Sequence, residues 1–127
     1  MIKIPYSIDD FIVKTWCKED IILVGDINFS TSLRIDGNIK GNIYSDNGFL
    51  IISHTSKVEG DIKVGTVMIV GKVFGNISAS KKVELFSGAE VIGSIRAPIF
   101  RMEDGVKFEG ECDTFEEYEN DVEVKHG

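Results

Sequence analysis

Apolar and polar residues alternate over short stretches along most of the chain. In Val58-Glu59-Gly60-Asp61-Ile62 the first, third and fifth positions fall on one side and the charges on the other. A period of two marks a strand rather than a helix. The stretch recurs. Aligned on Gly-x-apolar, the glycines are Gly25, Gly41, Gly60, Gly75, Gly93 and Gly110, at steps of 16, 19, 15, 18 and 17. Two residues before each come Leu23, Ile39, Val58, Val73, Val91 and Phe108; two residues after come Ile27, Ile43, Ile62, Ile77, Ile95 and Cys112. A second apolar column lies between them: Leu33 with Ile35, Leu50 with Ile52, Val67 with Ile69, Val83 with Leu85, and Phe100 with Met102. Turn signals follow that column at Asp36-Gly37, His54-Thr55-Ser56, Ser87-Gly88 and Asp104-Gly105.

A unit of about seventeen residues cannot bury its own apolar face, whereas stacked units bury like columns above one another. An antiparallel sandwich would need hairpin dipeptides at short intervals and no fixed register of like residues. Asn47-Gly48 is the one Asn-Gly dipeptide. The columns therefore predict an all-β fold: a single-stranded right-handed parallel β-helix of about six rungs with three short faces, flanked by short tails. The rival is a left-handed hexapeptide helix, whose strict six-residue spacing the uneven steps break. By the alternation the glycine column is expected to point inward, leaving room where the chain bends.

Composition agrees with this reading. There are 18 Ile and 12 Val against 4 Leu and 3 Ala, and β-branched residues suit a pleated surface better than a helix. A helical bundle is excluded. At 127 residues there is room for one domain. The organisation expected is a tail over 1–20, the β-helix over 21–112 and an acidic, disordered tail over 113–127.

Charge changes the picture in one respect. The net charge is −7, which argues against a general nucleic-acid binder. The segment 111–127 holds seven acids and one Lys, whereas 21–110 holds ten of each sign. A neutral body meets no long-range repulsion from copies of itself. Soluble repeat proteins carry polar caps on their end rungs, but here the terminal layers read as apolar. Ile21, Leu23 and Ile27 stand at one end, and Phe100, Met102, Phe108 and Cys112 at the other. Open ends with unpaired backbone favour end-to-end stacking. The alternative is a non-polymerising binding module whose tails fold over both ends. On the outward positions, Ile51 with Met68 and Phe74 with Ile92 fall on adjacent rungs as a candidate lateral patch.

The N-terminal stretch reads two ways. Ser7 and Asp10 could cap a short helix with Ile8, Phe11, Ile12 and Trp16 on one face, packed as a lid on the first rung. Met1-Ile2-Lys3-Ile4 is the better candidate for membrane contact, with Met1, Ile2 and Ile4 as the inserting residues. No signal peptide or spanning segment is read, so a cytoplasmic location with reduced Cys17 and Cys112 is expected.

Chemistry-bearing motifs fail on detail. Gly65 to Lys72 has five residues between its glycines where a phosphate loop has four, and Val73 stands where Ser or Thr would hold magnesium. His54 beside Ser53 cannot make a triad without an orienting partner. A hexapeptide-like acyltransferase would rest on that lone histidine. The reading is no enzyme, no cofactor, no metal and no nucleotide.

The repeated pattern IDGNIKGNI, KVEGDI, IVGKVFGNISASKKVELFSGAEVIGSI and MEDGVKFEGEC resembles the bactofilins over residues 21 to 112. The resemblance implies a compact right-handed β-helix that self-polymerises end to end without nucleotide into non-polar filaments. It implies a cytoskeletal scaffold that organises cell-envelope or cell-shape machinery at the inner face of the cytoplasmic membrane. Its partners would be itself, the inner membrane and envelope proteins. It also implies that an aromatic residue of the C-terminal rung serves polymerisation; by position this is Phe108.

Overall fold

A computed structural model describes residues 2–4 and 16–115. The chain winds as a parallel β-solenoid, each full rung crossing up to three faces. The first rung comprises β3 (Ile22–Val24), β4 (Ile27–Phe29) and β5 (Ser32–Ile35), and the second β6 (Asn38–Lys40), β7 (Ile43–Tyr44) and β8 (Phe49–Ile52). In the third and fourth, one strand runs through two faces: β9 (Lys57–Glu59) precedes β10 (Ile62–Ile69), and β11 (Lys72–Phe74) precedes β12 (Ile77–Leu85). The fifth holds β13 (Glu90–Ile92), β14 (Ile95–Ala97) and β15 (Ile99–Met102), and the sixth β16 (Lys107–Glu109) and β17 (Cys112–Thr114). Every pairing among these strands is parallel. Face one is a six-stranded ladder from β3 to β16; faces two and three join in one sheet because β10 and β12 span both.

The columns read from the sequence are the register of the ladders. Ile39 pairs with Val58, Val58 with Val73, and Val73 with Val91 on face one. Ile43, Ile62, Ile77 and Ile95 follow one another on face two. Leu33, Leu50, Val67, Val83 and Phe100 do so on face three. From the second to the fifth rung these side chains are at most 1% exposed, Phe100 excepted. A branched side chain stacked on its like fills the narrow interior with few rotamers to lose.

The glycines differ from the expectation of an inward column. They are corners between faces one and two, so Val58 and Ile62 lie in different strands. Gly60, Gly75 and Gly93 have φ of 152°, 154° and 144°. A Cβ on each would lie 2.0, 1.9 and 1.9 Å from the carbonyl oxygen of the glycine one rung below. Only glycine lets the backbone stack so closely with that torsion. The uneven repeat length is absorbed elsewhere, at the turns from face three back to face one, longer between Ile52 and Lys57 than between Ile69 and Lys72, and at the corners between faces two and three. There Gly65 stands opposite two residues, Ser80 and Lys81, in a bulge.

The residue after each corner glycine builds a second ladder. The side-chain oxygen of Asp26 accepts from the backbone N–H of Asn42 at 2.9 Å, Asn42 from Asp61 at 2.9 Å, Asp61 from Asn76 at 3.0 Å, and Asn76 from Ser94 at 3.1 Å. Each bond contributes about 1 kcal/mol net and fixes the rungs in register.

Candidate assembly surfaces

The two ends of the solenoid differ. At the C-terminal end β15, β16 and β17 are the last strands of their faces among the described residues, so their outer edges have no partner. The core breaks the surface here. Phe108 and Phe100 are half-buried, with ring centroids 6.0 Å apart and planes tilted by 54°. Met102 and Ile99 are each 51% exposed, and Cys112 is exposed. Cys112 occupies the position that isoleucine takes on the rungs below, pairing with Ile95. Burial still pushes its thiol above the usual range, with the Asp113 carboxylate adding to the shift. The expected C-terminal set of Phe100, Met102, Phe108 and Cys112 is thus brought together as one apolar layer.

At the N-terminal end the expectation of an open layer needs correction. Two further strands lie outside the first rung: β1 (Ile2–Ile4) pairs with β4, and β2 (Trp16–Cys17) with β5. They form a partial turn over faces two and three. Ile27, expected at the open end, pairs with Ile2 and is 2% exposed. Ile21 is exposed and Leu23 half-buried, beside Ile22 at 67% and Val24 at 76% exposure. Among the described residues, face one is the face left uncovered at this end.

A polar clamp holds β2 of the partial turn. The Trp16 indole N–H donates to the Asp36 carboxylate, and Arg34 Nε donates to the same group at 3.2 Å. The Arg34 guanidinium lies 5.1 Å from the Trp16 ring centroid. Cys17 is buried, and its carbonyl accepts from the N–H groups of Asp36 and Gly37. Burial pushes the Asp36 carboxyl up, but bonds from Ser53 and Trp16 and the Arg34 charge outweigh it and hold the group below the ordinary carboxylate range. The pattern of residues 21–112 did not foretell this clamp, because Trp16 lies outside the glycine register. Trp16 sits in a strand, not in the helix expected for 7–16; Ser7, Ile8, Asp10, Phe11 and Ile12 lie outside the described residues, as does Met1. Ile2 and Ile4, expected at a lipid surface, belong to the strand beside β4.

The expected lateral patch divides. Ile51 and Met68 are neighbours on face three, and Phe74 and Ile92 are neighbours on face one. The two pairs therefore belong to different surfaces. Phe74 is flanked by Glu59 and covered by Lys57, whose Nζ lies 5.4 Å from its ring.

His54 is exposed in the turn between β8 and β9. Among the described residues no three His, Cys, Asp or Glu side chains are grouped to hold a metal ion, and no helix is long and apolar enough to cross a membrane.

Known proteins share this parallel ladder of about six turns. Residues 15–113 match the family model described as Bactofilin, polymer-forming cytoskeletal. The chain belongs to the bactofilin family. This bactofilin is 41% identical over 93 residues to Bactofilin BacO of Myxococcus xanthus (strain DK1622), covering 73% of each chain. It is 30% identical to Bactofilin BacP of the same organism over 73% of its own length and 38% of that relative. Its fold matches the cryo-EM reconstruction of Thermus thermophilus bactofilin double helical filaments with a TM-score of 0.75 and 28% identity, over 80% of this chain and all of that one. It matches the solid-state NMR structure of the cytoskeletal bactofilin BacA with a TM-score of 0.71 and 30% identity, over 80% and 96%. It is a cytoskeletal, filament-forming protein, and its partner in the filament is itself.

Proposed function

We propose that this bactofilin polymerises end to end without nucleotide, using the C-terminal layer of Phe100, Met102, Phe108 and Cys112 as a joint. We further propose that the filaments serve as a non-enzymatic scaffold for cell-envelope or cell-shape machinery. The observation that carries the joint is an apolar core layer left exposed beside three unpaired strand edges. A second copy laid on that end would continue the ladders and the core together, satisfying backbone groups and removing apolar area from water. No bond needs hydrolysis for this: strand pairing and apolar burial supply the drive. Ile21 and Leu23 complete the reading at the other end, where face one is open. Contact of Met1, Ile2 and Ile4 with the inner membrane would require β1 to leave β4.

Negative-stain microscopy and sedimentation of the full chain in buffer free of nucleotide test the proposal. Filaments that form without nucleotide and are unchanged by added ATP or GTP are the expected result. Small species without nucleotide, converted to filaments on its addition, would overturn it. If light scattering gave a monomer or closed dimer under all conditions, the binding module with covered ends would replace it.

A further inference from the structure

Two corners of the solenoid use similar residues in different ways. Between faces one and two, the side chains of Asp26, Asn42, Asp61 and Asn76 are consumed by the rung-to-rung ladder. Between faces two and three, Asn28, Tyr44, Asp46, Asn47, Lys63 and Ser78 line an open groove of about 670 Å³. Among the described residues none of these six side chains has a hydrogen-bond or ion-pair partner. The groove exists because the corner changes length. On the second rung the chain loops out through Ser45 to Gly48 between β7 and β8, whereas on the third β10 crosses without a break at Gly65. The Ser45 hydroxyl accepts from the Gly48 N–H at 2.9 Å, which props the loop and leaves Asp46 and Asn47 exposed beside the shorter rung. The far wall is Ser78 and Ser80 of β12, and the Ser80 hydroxyl is buried without a partner among the described residues.

We propose that this groove binds a short, neutral, extended oligosaccharide of the β-1,4-linked kind. Charge is the first reason. The lining holds one cation, Lys63, and one carboxylate, Asp46, so no net field favours an anion or a cation. Nearby bases are engaged or lie outside. Arg96 is 2.7 Å from Asp113 and stacks at 4.7 Å on Phe115, which closes the groove at its far end. Lys82 lies 3.7 Å from Glu84, and Lys81 is not part of the lining.

Hydrogen-bonding type is the second reason. Amides, hydroxyls and the two charged groups set donors and acceptors side by side, which suits a polyol whose every hydroxyl both donates and accepts. The ladders pass beneath the groove from β4 to β12, so no free backbone edge is offered for a peptide strand to join. Spacing is the third. Asn28, Tyr44, Lys63 and Ser78 are consecutive in register, one per rung at roughly 4.8 Å, close to the repeat of a β-1,4-linked glycan. A chain of sugar rings laid along the axis therefore meets one polar side chain per ring. The exposed Tyr44 ring offers a face to the C–H side of a sugar, and a sugar hydroxyl reaching Ser80 would relieve its unpaired state. A site this open holds one oligosaccharide weakly. Filaments present it once per subunit and would hold a long glycan by multivalency. Binding itself uses neither end of the solenoid and does not depend on the joint proposed above.

Saturation-transfer NMR on the full chain tests the inference, because it detects weak ligands of subunits and of filaments alike. The probes are cellotetraose and chitotetraose, whose rings repeat in line, together with maltotetraose, which coils, and ATP. Transfer to both extended tetraoses, several-fold less to maltotetraose and none to ATP is the expected result. Tyr44→Ala and Asn47→Ala replace exposed side chains and should each weaken binding about fivefold while sedimenting as the parent does. His54→Ala, in the exposed turn between β8 and β9, should bind as the parent. No transfer to either extended tetraose, or binding unchanged in both groove variants, would overturn the inference. Maltotetraose or ATP bound as well as cellotetraose would overturn it too, by removing the fit to an extended neutral chain. Should the full chain fail to form filaments, the joint is refuted, and the groove is still read on the subunits.

Discussion

Replacing Phe108 by Arg separates folding from assembly. Phe108 is the last member of the face-one column, half-buried and tilted against Phe100 at 6.0 Å. A fully buried Phe is worth roughly 1.5–3 kcal/mol, so the half still open holds about 1 kcal/mol that only a joint can realise. The contact with Phe100, about 1 kcal/mol, is made within the subunit and is lost from the fold, not from the joint. A guanidinium in the same place must be desolvated or must bend to the rim, a cost of about 2 kcal/mol after such relaxation. The lost burial and the desolvation together weaken the joint by about 3 kcal/mol, somewhat more than a hundredfold in dissociation constant. The fold itself loses little, because one edge of this side chain is already in water and the layers beneath are sealed. The expected outcome is a well-folded protein by circular dichroism that stays in the supernatant where the parent sediments. Phe108→Leu, which keeps an apolar surface at the joint, should weaken assembly by less than about fivefold. Filaments of parental length and critical concentration in Phe108→Arg would refute the joint, and so would Phe108→Leu failing as completely as Phe108→Arg.

The corner column makes a stability prediction. Gly75→Ala places a Cβ 1.9 Å from a carbonyl oxygen at a φ of 154° and should cost at least about 3 kcal/mol, whereas Asn76→Ala, next in sequence, removes bonds from the Ser94 amide and hydroxyl and should cost about 1 kcal/mol; thermal unfolding of both would expose the error if the order were reversed. Cys112 should react with a maleimide in free subunits and be shielded in filaments, while buried Cys17 reacts only on unfolding. Equal labelling of Cys112 in both states would show that the C-terminal end is not the joint. The clamp should respond to acid: because Asp36 is held below its ordinary value, its contribution is complete above about pH 4, the unfolded carboxylate pKa, and is lost as pH falls through its folded value. Fluorescence of Trp16, the single tryptophan, should therefore shift in that acidic window in the parent and not in Asp36→Asn.

Most of the rung architecture was legible, and for a physical reason. In a parallel solenoid the residues that touch are one repeat apart, so packing is written as a periodicity of like residues: Ile43, Ile62, Ile77 and Ile95 are both a spacing and a contact list. The glycine column was legible as a position but not as a conformation. Alternation assigned Gly60 to the side of Val58 and Ile62, and nothing in the letters shows that the chain turns there through a left-handed torsion. The Asp26, Asn42, Asp61 and Asn76 ladder was hidden because those residues look like exposed charges and amides of a turn; their shared acceptor oxygen becomes apparent only once the rungs are stacked. The partial first turn was hidden for a different reason. Trp16-Cys17 and Ile2–Ile4 carry no glycine and no repeat spacing, so periodicity cannot see them. The division of Ile51 and Met68 from Phe74 and Ile92 follows from the same limit: adjacency in a column gives the neighbour along the axis but not the face.

A solenoid has no closure along its axis, so the top of any rung is a template for the bottom of another. Self-association is therefore the default of this fold, and what needs explaining is how it is directed. Here the direction comes from unequal ends. The strands β1 and β2, the latter held by the clamp of Trp16, Arg34 and Asp36, fill two of three faces at the start of the winding, leaving Ile22 and Val24 exposed on the third. At the finish the described residues place no such strand over Phe100, Met102 and Phe108. The first contact between subunits should accordingly form where no intramolecular strand must be displaced. A deletion of residues 1–15 that left C-terminal joining unchanged while lengthening filaments would show that the partial turn limits growth at its own end. Filaments shortened by that deletion would show instead that the N-terminal strand is part of the joint.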